Sequence, residues 1–536
     1  WTEQLPFADP AEQQRWWAES AQLWQALMLP QGDADGDDGG KLELPREDRR
    51  FADPRWREQP VFALLHQTYL MLTERVLAMV EKMDQVDPAK REQLKFATQA
   101  MAEALSPANF AATNPIVLDR IMESRGESLV NGMQNLLRDI QKGQLTHTDP
   151  EAFVLGENLA TTPGKVVHET PLFQLIQYEP STEKVLGVPL IIFPPWINRF
   201  YILDLNEKKS FVKWAVDQGL TVFMVSWKSA DASMKDVVWD DYIAAQIEAI
   251  DHVRKRLRQS AVHTIGYCVA GTTLAATLAV LAEKGELDKV KSATFFTAQV
   301  DFSEAGELLH FIDDQQIAAI KSLERDGFID GRYMAATFNL LRGNDLIWNY
   351  VVRNYLLGED YTAFDLLHWN GDVTNLPAKW HQQYLQQLYR DNLLVKPGKL
   401  EALGVPIDLG KVDIPTYIQA GKDDHIAPVS SVWKITEQFS GPMRFVLAGS
   451  GHIAGVVNPP AANKYQYWIN ENEDVGSLAE FREGATEHPG SWWPDWIEWI
   501  RSQDAKEVAA SGKRKPGSGK TDKVIEPAPG RYVKTR

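Results

Sequence analysis

The sequence lacks the features of an exported or membrane-spanning chain. It has one cysteine in 536 residues, so no disulfide can form within the chain, which fits a reducing cytoplasm. It has no run of 18 or more apolar residues, and hence no membrane-spanning helix is predicted. The chain opens on Trp1 with no charged-then-apolar leader, so we expect no export signal. These absences together predict a cytoplasmic protein.

Net positive charge is also lacking. The formal net charge of −17 argues against binding nucleic acid, or anionic lipid, through the overall electrostatic field. Tryptophan, in contrast, is abundant, with 18 residues. So many indoles indicate large apolar surfaces or an apolar substrate.

The first part of the chain has the spacing of helices. Apolar residues recur every three to four positions through 10–28 and 56–84 and onward to about residue 141. Between them, residues of about 30–46 are acidic and glycine-rich, which predicts a flexible linker. We therefore predict a mostly helical N-terminal domain over residues 1–155.

The pattern changes in residues 156–505, where short apolar runs alternate with helical segments. This alternation predicts an α/β fold with a mostly parallel sheet and helices on both faces. A helical and aromatic insertion of about 305–405 is too long for a loop and is predicted to be a cap. Residues 506–536 are basic and rich in Gly, Lys and Pro, which predicts a disordered tail. The strand-like runs are FQLIQYE, VPLIIF, LTVFMVSW, HTIGY, SATFFTAQV, IPTYIQA and MRFVLAG.

The lone cysteine lies where a strand gives way to a helix. The stretch GYCVAG approximates the G-x-S-x-G nucleophile elbow of α/β-hydrolases, with Cys268 in place of serine. Small residues, Ala270 and Gly271, follow it and would let strand and helix approach. The positive end of the helix would stabilise a thiolate. The alternative is that Cys268 is an ordinary buried apolar residue.

The elbow fold requires an acid and then a histidine after later strands. Asp424 follows the strand-like run IPTYIQA, and His452 follows MRFVLAG. His452 would accept the thiol proton while Asp424 orients the imidazole. Asp301, after the strand before the insertion, is a competing acid, and His425 is a candidate for a supporting residue beside the site.

An oxyanion hole requires two backbone donors. One is expected to be the amide of Val269, directly after the nucleophile. The other is expected in the loop FPPWINR, where two prolines lack N–H groups and leave Trp196 or Ile197. A purely structural turn is the alternative for this loop. No metal site is predicted.

With these residues in place, the chain resembles the polyhydroxyalkanoate (poly-3-hydroxybutyrate) synthases over most of its length, with a class I-like character. The resemblance implies an acyltransferase that polymerises (R)-3-hydroxyacyl-CoA into polyester through an acyl-Cys268 thioester and releases CoA. It implies the triad Cys268, Asp424 and His452, and it leaves open whether Asp424 activates the 3-hydroxyl directly or through His452. The phrases that carry it are NPIVLDR, PPWINRFYILDL, GYCVAGT, DLLHWNGDVTNLP, DDHIAP and GSGHIAGVVNPP.

The resemblance also implies partners and a location. No cofactor is expected, because coenzyme A is part of the substrate and then a product. A homodimer is expected, located in the cytoplasm at the surface of the polyester granule with its coat proteins. Two other functions stay open: a cysteine-dependent hydrolase of the same fold, either an intracellular polyester depolymerase or a thioesterase, and a granule-coat protein without activity.

Overall fold

The computed structural model describes residues 48–324, 326–472, 475–518 and 522–535. These residues belong to two compact units. Of the described residues, those up to Asp149 and those within Ala336–Thr362 form the helical unit, and the others form the sheet unit. The predicted helix at 10–28 and the predicted linker at about 30–46 lie outside the described residues.

The N-terminal part of the helical unit is helical, as predicted. Its helices begin at recognisable signals: Asp87 and Asn114 each accept hydrogen bonds from backbone amides of the following turn, and a proline occupies the first helical position. Phe51 and Trp56 form a small core against one side of the second helix. The helices are α1 (Arg55–Glu58), α2 (Pro60–Glu81), α3 (Pro88–Ala104), α4 (Pro115–Glu123) and α5 (Glu127–Lys142).

The sheet unit is built on one sheet of eleven strands. These strands are β1 (Gly164–Glu169), β2 (Phe173–Tyr178), β4 (Leu190–Phe193), β5 (Val222–Trp227), β6 (Val262–Tyr267), β7 (Val290–Phe296), β12 (Thr416–Gly421), β13 (Met443–Ala448), β14 (Gln466–Ile469), β15 (Thr486–Pro489) and β17 (Glu526–Pro527), while β3 (Lys184–Leu186) pairs with β16 (Glu507–Ala509) outside it.

The strands lie in the order β15-β14-β13-β12-β7-β6-β4-β5-β2-β1-β17 across the sheet. The six strands from β13 to β5 in that order are parallel, and the strands on either side of them are antiparallel. The predicted α/β fold is therefore confirmed.

Helices cover the sheet and supply much of its core. The tryptophans near residue 495 are part of this core: Trp492, Trp493 and Trp496 are fully buried. The indole of Trp496 donates to the hydroxyl of Thr294 at 3.0 Å, which satisfies its one polar atom. Several of the 18 tryptophans thus serve packing. The helices are α6 (Phe211–Asp217), α7 (Trp239–Leu257), α8 (Val269–Glu283), α13 (Val429–Trp433), α14 (Ile435–Gln438), α15 (Leu478–Gly484) and α16 (Trp493–Gln503).

The insertion between β7 and β12 differs from the single cap predicted at about 305–405. Its residues Ala336–Thr362 belong to the helical unit, and the rest belongs to the sheet unit. A turn with π-helical hydrogen bonding covers Tyr384–Arg390. The insertion contains α9 (Asp314–Leu323), α10 (Gly331–Leu341), α11 (Asp365–Gly371) and α12 (Ala378–Gln383), and the short strand pairs β8 (Phe328–Ile329) with β9 (Leu376–Pro377) and β10 (Glu401–Ala402) with β11 (Val405–Pro406).

The predicted disordered tail at 506–536 is wrong for its described residues. They contribute β16 and β17 to paired strands. Arg514 is buried and donates to the carbonyls of Leu186 and Gly187 and to the hydroxyl of Thr221. The Arg514 guanidinium group is therefore hydrogen-bonded inside the fold. Composition alone cannot reveal which partners a basic residue has.

Among the described helices, none combines the length and the apolar composition that a membrane crossing requires.

Candidate active site

Cys268 occupies the bend between β6 and α8. Its φ of 53° and ψ of −128° lie in a region that L-residues rarely adopt, so the bend is strained. The backbone amide of Cys268 donates to the carbonyl of Phe296 on the neighbouring strand at 3.0 Å. Cys268 is partly buried and packs against the apolar core of the sheet unit without being sealed inside it.

Two glycines allow the strand and the helix to meet at this bend. A Cβ atom on Gly266 would lie 2.5 Å from the Cα of Gly271, and a Cβ on Gly271 would lie 2.4 Å from the Cβ of Ala298. Small residues are predicted to be required at both Ala270 and Gly271. In the structure, Gly271 makes the close contact between strand and helix. Ala270 instead offers its carbonyl to the side-chain amide of Gln246, at 3.0 Å.

The helix α8 begins directly after Cys268. The amides of Gly271 and Thr272 donate to the Cys268 carbonyl at 2.8 and 3.1 Å. Those of Val269 and Ala270, in contrast, have no carbonyl of a preceding helical turn to bond. The helix runs for 15 residues from Val269 to Glu283, long enough to carry a dipole with its positive end at Cys268. Both effects favour negative charge at this bend.

Asp424 and His452 follow β12 and β13 at the same edge of the sheet as Cys268. His452 Nδ1 lies 2.7 Å from Asp424 Oδ2. The other carboxylate oxygen, Oδ1, accepts from the amides of Ile426 and Ala427, each at 2.9 Å. The carboxylate is thus held on both oxygens, and it fixes the imidazole with Nε2 left for another partner.

His452 also interacts with Cys268, which brings the three predicted residues together. Burial alone lowers the pKa of the His452 imidazole, but the charges of Asp424 and Cys268, and the hydrogen bond to Asp424, raise that pKa from 6.5 to about 10. These surroundings favour an imidazolium beside the sulfur. Such a pair is the usual way of holding a cysteine as a thiolate nucleophile.

Tyr267 ties the histidine loop to the bend. Its hydroxyl donates to the backbone carbonyl of His452 at 2.9 Å, and it directly precedes Cys268 in the chain. Burial and the charges of Cys268 and Asp424 raise the pKa of Tyr267, so the phenol stays protonated. Sequence reasoning missed this contact, because nothing in the local sequence pairs a residue of β6 with the loop after β13.

The predicted oxyanion loop begins beside the bend. In the parallel pairing of β4 and β6, Phe193 lies opposite Gly266, so the residues after both strands leave the sheet side by side. Trp196 is buried with its ring stacked on Tyr242 at 4.0 Å, and Ile197 is half-buried. This placement is compatible with an amide of Trp196 or Ile197 acting with Val269, and that role stays a prediction.

The competing acid, Asp301, and the supporting candidate, His425, are separate from the triad. Asp301 accepts from the Ser303 hydroxyl at 2.6 Å and from the Asn392 amide at 2.9 Å, whereas the partner of His452 is Asp424. His425 is half-buried, next to Asp424 in the chain. Among the described residues, no group of three or more His, Cys, Asp or Glu is arranged to hold a metal ion.

The aromatic residues of the insertion are divided between the two units. Trp348, Tyr350 and Tyr355 belong to the helical unit. In the sheet unit, Trp380 lies 5.2 Å from Trp196, measured between ring centroids.

Two tyrosines near the sulfur were missed altogether. Gln299 accepts from Thr272 of α8 with its carbonyl and donates to the Tyr389 oxygen with its side chain, and the rings of Tyr384 and Tyr389 lie 5.2 Å apart, so both phenols lie near the start of α8. They lie within the insertion, where the sequence offers apolar and aromatic residues without a motif. Their distinguishing feature in the sequence is a spacing of five residues in YLQQLYR. Such a spacing brings two side chains to the same side only in a wide helical turn.

The chain matches two family models. Residues 47–215 match the N-terminus of poly-beta-hydroxybutyrate polymerase (PhaC), and residues 189–459 match the alpha/beta hydrolase fold. A solved putative hydrolase from Agrobacterium vitis S4 is 12% identical, with a TM-score of 0.33, over 55% of this chain and 91% of that one.

Curated relatives match nearly the whole chain. The poly(3-hydroxyalkanoate) polymerase subunit PhaC of Rhizobium meliloti is 45% identical over 521 residues, which cover 96% of this chain and 84% of the relative. The subunit of the same name from Cupriavidus necator is 43% identical over 531 residues, which cover 98% and 88%. The chain therefore belongs to the poly(3-hydroxyalkanoate) polymerase family.

Proposed function

We propose that this enzyme joins (R)-3-hydroxyacyl units from their coenzyme A thioesters into a polyester, with Cys268 carrying the acyl group. The observation that carries the proposal is the assembly of Cys268, His452 and Asp424 at one edge of the sheet. The family of the chain supplies the substrate class.

In the first step, the Cys268 thiolate attacks the thioester carbonyl of the substrate. A carbon–sulfur bond to Cys268 forms, the bond to the CoA sulfur breaks, and the departing sulfur takes the proton of the His452 imidazolium. One thioester replaces another, so the step is close to thermoneutral and keeps the acyl group activated. A serine nucleophile would form an ester and lose that activation.

In the second step, the 3-hydroxyl of another unit attacks the acyl-Cys268 carbonyl. His452 accepts the hydroxyl proton, the ester bond forms, and Cys268 leaves as a thiolate paired again with imidazolium. Asp424 has one oxygen on His452 and the other on two backbone amides. This arrangement supports activation of the hydroxyl through His452 rather than by Asp424 directly.

Both steps pass through a tetrahedral intermediate with a negatively charged oxygen. We assign its stabilisation to the Val269 amide and to an amide of Trp196 or Ile197, because the parallel register brings the two loops to the same edge. The single thiol per chain further supports one complete active site per subunit.

Assembly and location follow from the family resemblance alone. We propose a homodimer that acts in the cytoplasm at the surface of the polyester granule, together with granule-coat proteins, and that prefers short monomers. Coenzyme A would enter as part of the substrate and leave as product, and no other cofactor takes part.

The test is to supply the purified protein with (R)-3-hydroxybutyryl-CoA and to follow free CoA and insoluble polyester together. We expect both to form, and we expect Cys268→Ala to lower the rate by about 10⁴-fold or more while the fold is kept. Mass measurement of the trapped protein should show an acyl group on Cys268. CoA release with only free 3-hydroxybutyrate would identify a hydrolase, and full CoA release by Cys268→Ala would refute the assignment of the nucleophile.

A further inference from the structure

Two phenols at the active site have no part in the steps above. Tyr384 and Tyr389 lie in the sheet unit, with ring centroids 5.2 Å apart and nearly perpendicular rings. Burial and the nearby charge of Cys268 raise the pKa of both, and the charge of Asp424 adds to the effect on Tyr389. Both phenols therefore remain protonated and can donate a hydrogen bond.

The backbone between them has an unusual hydrogen-bond pattern. The amide of Asp391 donates to the carbonyl of Gln386, five residues earlier, at 3.0 Å. Such π-helical turns are rare and are frequent at functional sites. In a turn of this width, residues five apart lie close to one another along the helix, as Tyr384 and Tyr389 do. In an α-helix they would point in different directions.

Gln299 fixes Tyr389 relative to the nucleophile. The Gln299 side-chain amide donates to the Tyr389 oxygen at 3.3 Å and accepts from the Ser431 hydroxyl at 2.8 Å. The backbone carbonyl of Gln299 accepts from the hydroxyl of Thr272 at 2.7 Å, and Thr272 lies in the first turns of α8, behind Cys268. One residue thus connects the phenol to the helix that carries the nucleophile at its start.

The hydrogen bonds of Tyr389 leave one group unused. A phenol has one proton and two lone pairs. The Tyr389 oxygen accepts from Gln299 at 3.3 Å, and the Tyr384 ring packs edge-on against the Tyr389 ring. Among the described residues, no acceptor lies within hydrogen-bond distance of the Tyr389 hydroxyl, so its proton is available to an acceptor that arrives with the substrate.

We propose that Tyr389 donates its phenol hydrogen to the 3-hydroxyl oxygen of the acyl group at Cys268, and that Tyr384 is a positioning residue that orients Tyr389. The inference rests on the proposed polymerase function. A 3-hydroxyl that accepts this bond keeps its own proton, so the same hydroxyl can later lose that proton and act as the nucleophile. The pair therefore selects 3-hydroxyacyl thioesters over acyl thioesters without a hydroxyl.

The experiment compares two substrates that differ only in that hydroxyl, (R)-3-hydroxybutyryl-CoA and butyryl-CoA. Single-turnover CoA release measures the acylation of Cys268 with each. We expect Tyr389→Phe to slow acylation by the hydroxylated substrate about 10-fold to 100-fold, and to change that by butyryl-CoA less than about threefold. Equal losses with both substrates, or a wild-type enzyme that does not discriminate between them, would overturn the proposal.

A matched control is Tyr417→Phe. The Tyr417 hydroxyl is also buried and bonded, to Asp495 at 2.9 Å, but it lies near the start of β12, at the opposite end of the strand from Asp424. We expect the substrate ratio of this variant to equal that of the wild type. A ratio that changes as much as in Tyr389→Phe would show a general loss of rigidity and refute a specific contact.

The role of Tyr384 requires a separate readout. Because it acts through Tyr389, the double variant Tyr384→Phe/Tyr389→Phe should have the same substrate ratio as Tyr389→Phe alone, and additive losses would refute the positioning role. If Tyr389→Phe does not fold, Gln299→Met tests the same contact by removing the donor that holds Tyr389. Failure of the wild type to acylate with either substrate would instead refute the polymerase function.

Discussion

Helix α8 is apolar in sequence and helix α5 is amphipathic. The two helices bury opposite kinds of side chain. Every residue of α8 from Val269 to Leu281 is buried, and nearly all are apolar or threonine. In α5 the buried residues are small or polar, namely Ser128, Gly132, Asn135 and Asp139. Its apolar stripe is exposed instead: Val130 58%, Met133 54%, Leu137 51% and Ile140 64%.

The inverted burial of α5 has a clear structural cause. Its polar face packs on the segment Val351–Leu356 of the same unit, where the Asn135 amide donates to the carbonyl of Asn354 at 3.0 Å and the Tyr355 hydroxyl donates to Asp139 at 2.6 Å. Buried polar groups are tolerated when each has a partner. The sheet unit is thus stabilised by apolar packing around its site, whereas α5 is held largely by hydrogen bonds.

The largest effect is expected where the chemistry is concentrated, at Asp424. Asp424→Asn should lower the rate of acylation by about 10³-fold to 10⁴-fold, because the amide no longer holds the His452 tautomer or its charge. Single-turnover CoA release measures this. Asp301→Asn is the matched control, and we expect it to lose no more than about tenfold. Comparable losses in the two variants would mean that the acid has been wrongly assigned.

The next largest effect concerns the apolar core of α8. Leu278 is fully buried, so Leu278→Ala should lower the free energy of unfolding of the sheet unit by about 2–5 kcal/mol. Urea unfolding followed by circular dichroism measures the change. A loss below about 1 kcal/mol would contradict the close packing of α8 against the sheet.

Within α5, the substitution expected to lower stability most is at Gly132, which has no side chain. A Cβ on Gly132 would lie 1.8 Å from the carbonyl oxygen of Tyr355, so Gly132→Ala must push the two segments apart. We expect a loss of about 1–3 kcal/mol in the stability of the helical unit. The acylation rate should be unchanged, since every triad residue belongs to the sheet unit. Met133→Ala, at the adjacent exposed position, is the control and should be nearly neutral.

A graded effect is expected from pH. The pKa of His452 is raised from 6.5 to about 10, so its contribution to stability is complete below pH 6.5 and declines as the pH rises toward 10. The limiting slope is about 1.4 kcal/mol for each pH unit. The difference in unfolding free energy between wild type and His452→Gln, measured from pH 6 to 10, isolates this group. A difference that grows with pH would have the wrong sign for a raised pKa.

The same contrast explains what the sequence could predict. The strands that form the centre of the sheet, the bend at Cys268 and the order Cys268, Asp424, His452 follow from local apolar runs and from the parallel topology they imply. The burial of Arg514 and the tyrosine pair could not be predicted, because each depends on partners hundreds or tens of residues away. Helical periodicity likewise predicts α5 but does not tell which of its faces is covered.

The smallest effect is expected on the exposed stripe of α5. Leu137→Ala removes the same atoms as Leu278→Ala. Because Leu137 is already 51% exposed, its truncation gives up little buried apolar area and leaves no cavity. We expect a change in unfolding free energy of less than about 0.5 kcal/mol, measured by the same urea unfolding. A loss near that of Leu278→Ala would mean that this face is covered in solution. A small change would establish that identical leucines contribute according to their surroundings, and that the apolar face of α5 does not stabilise the fold of the chain.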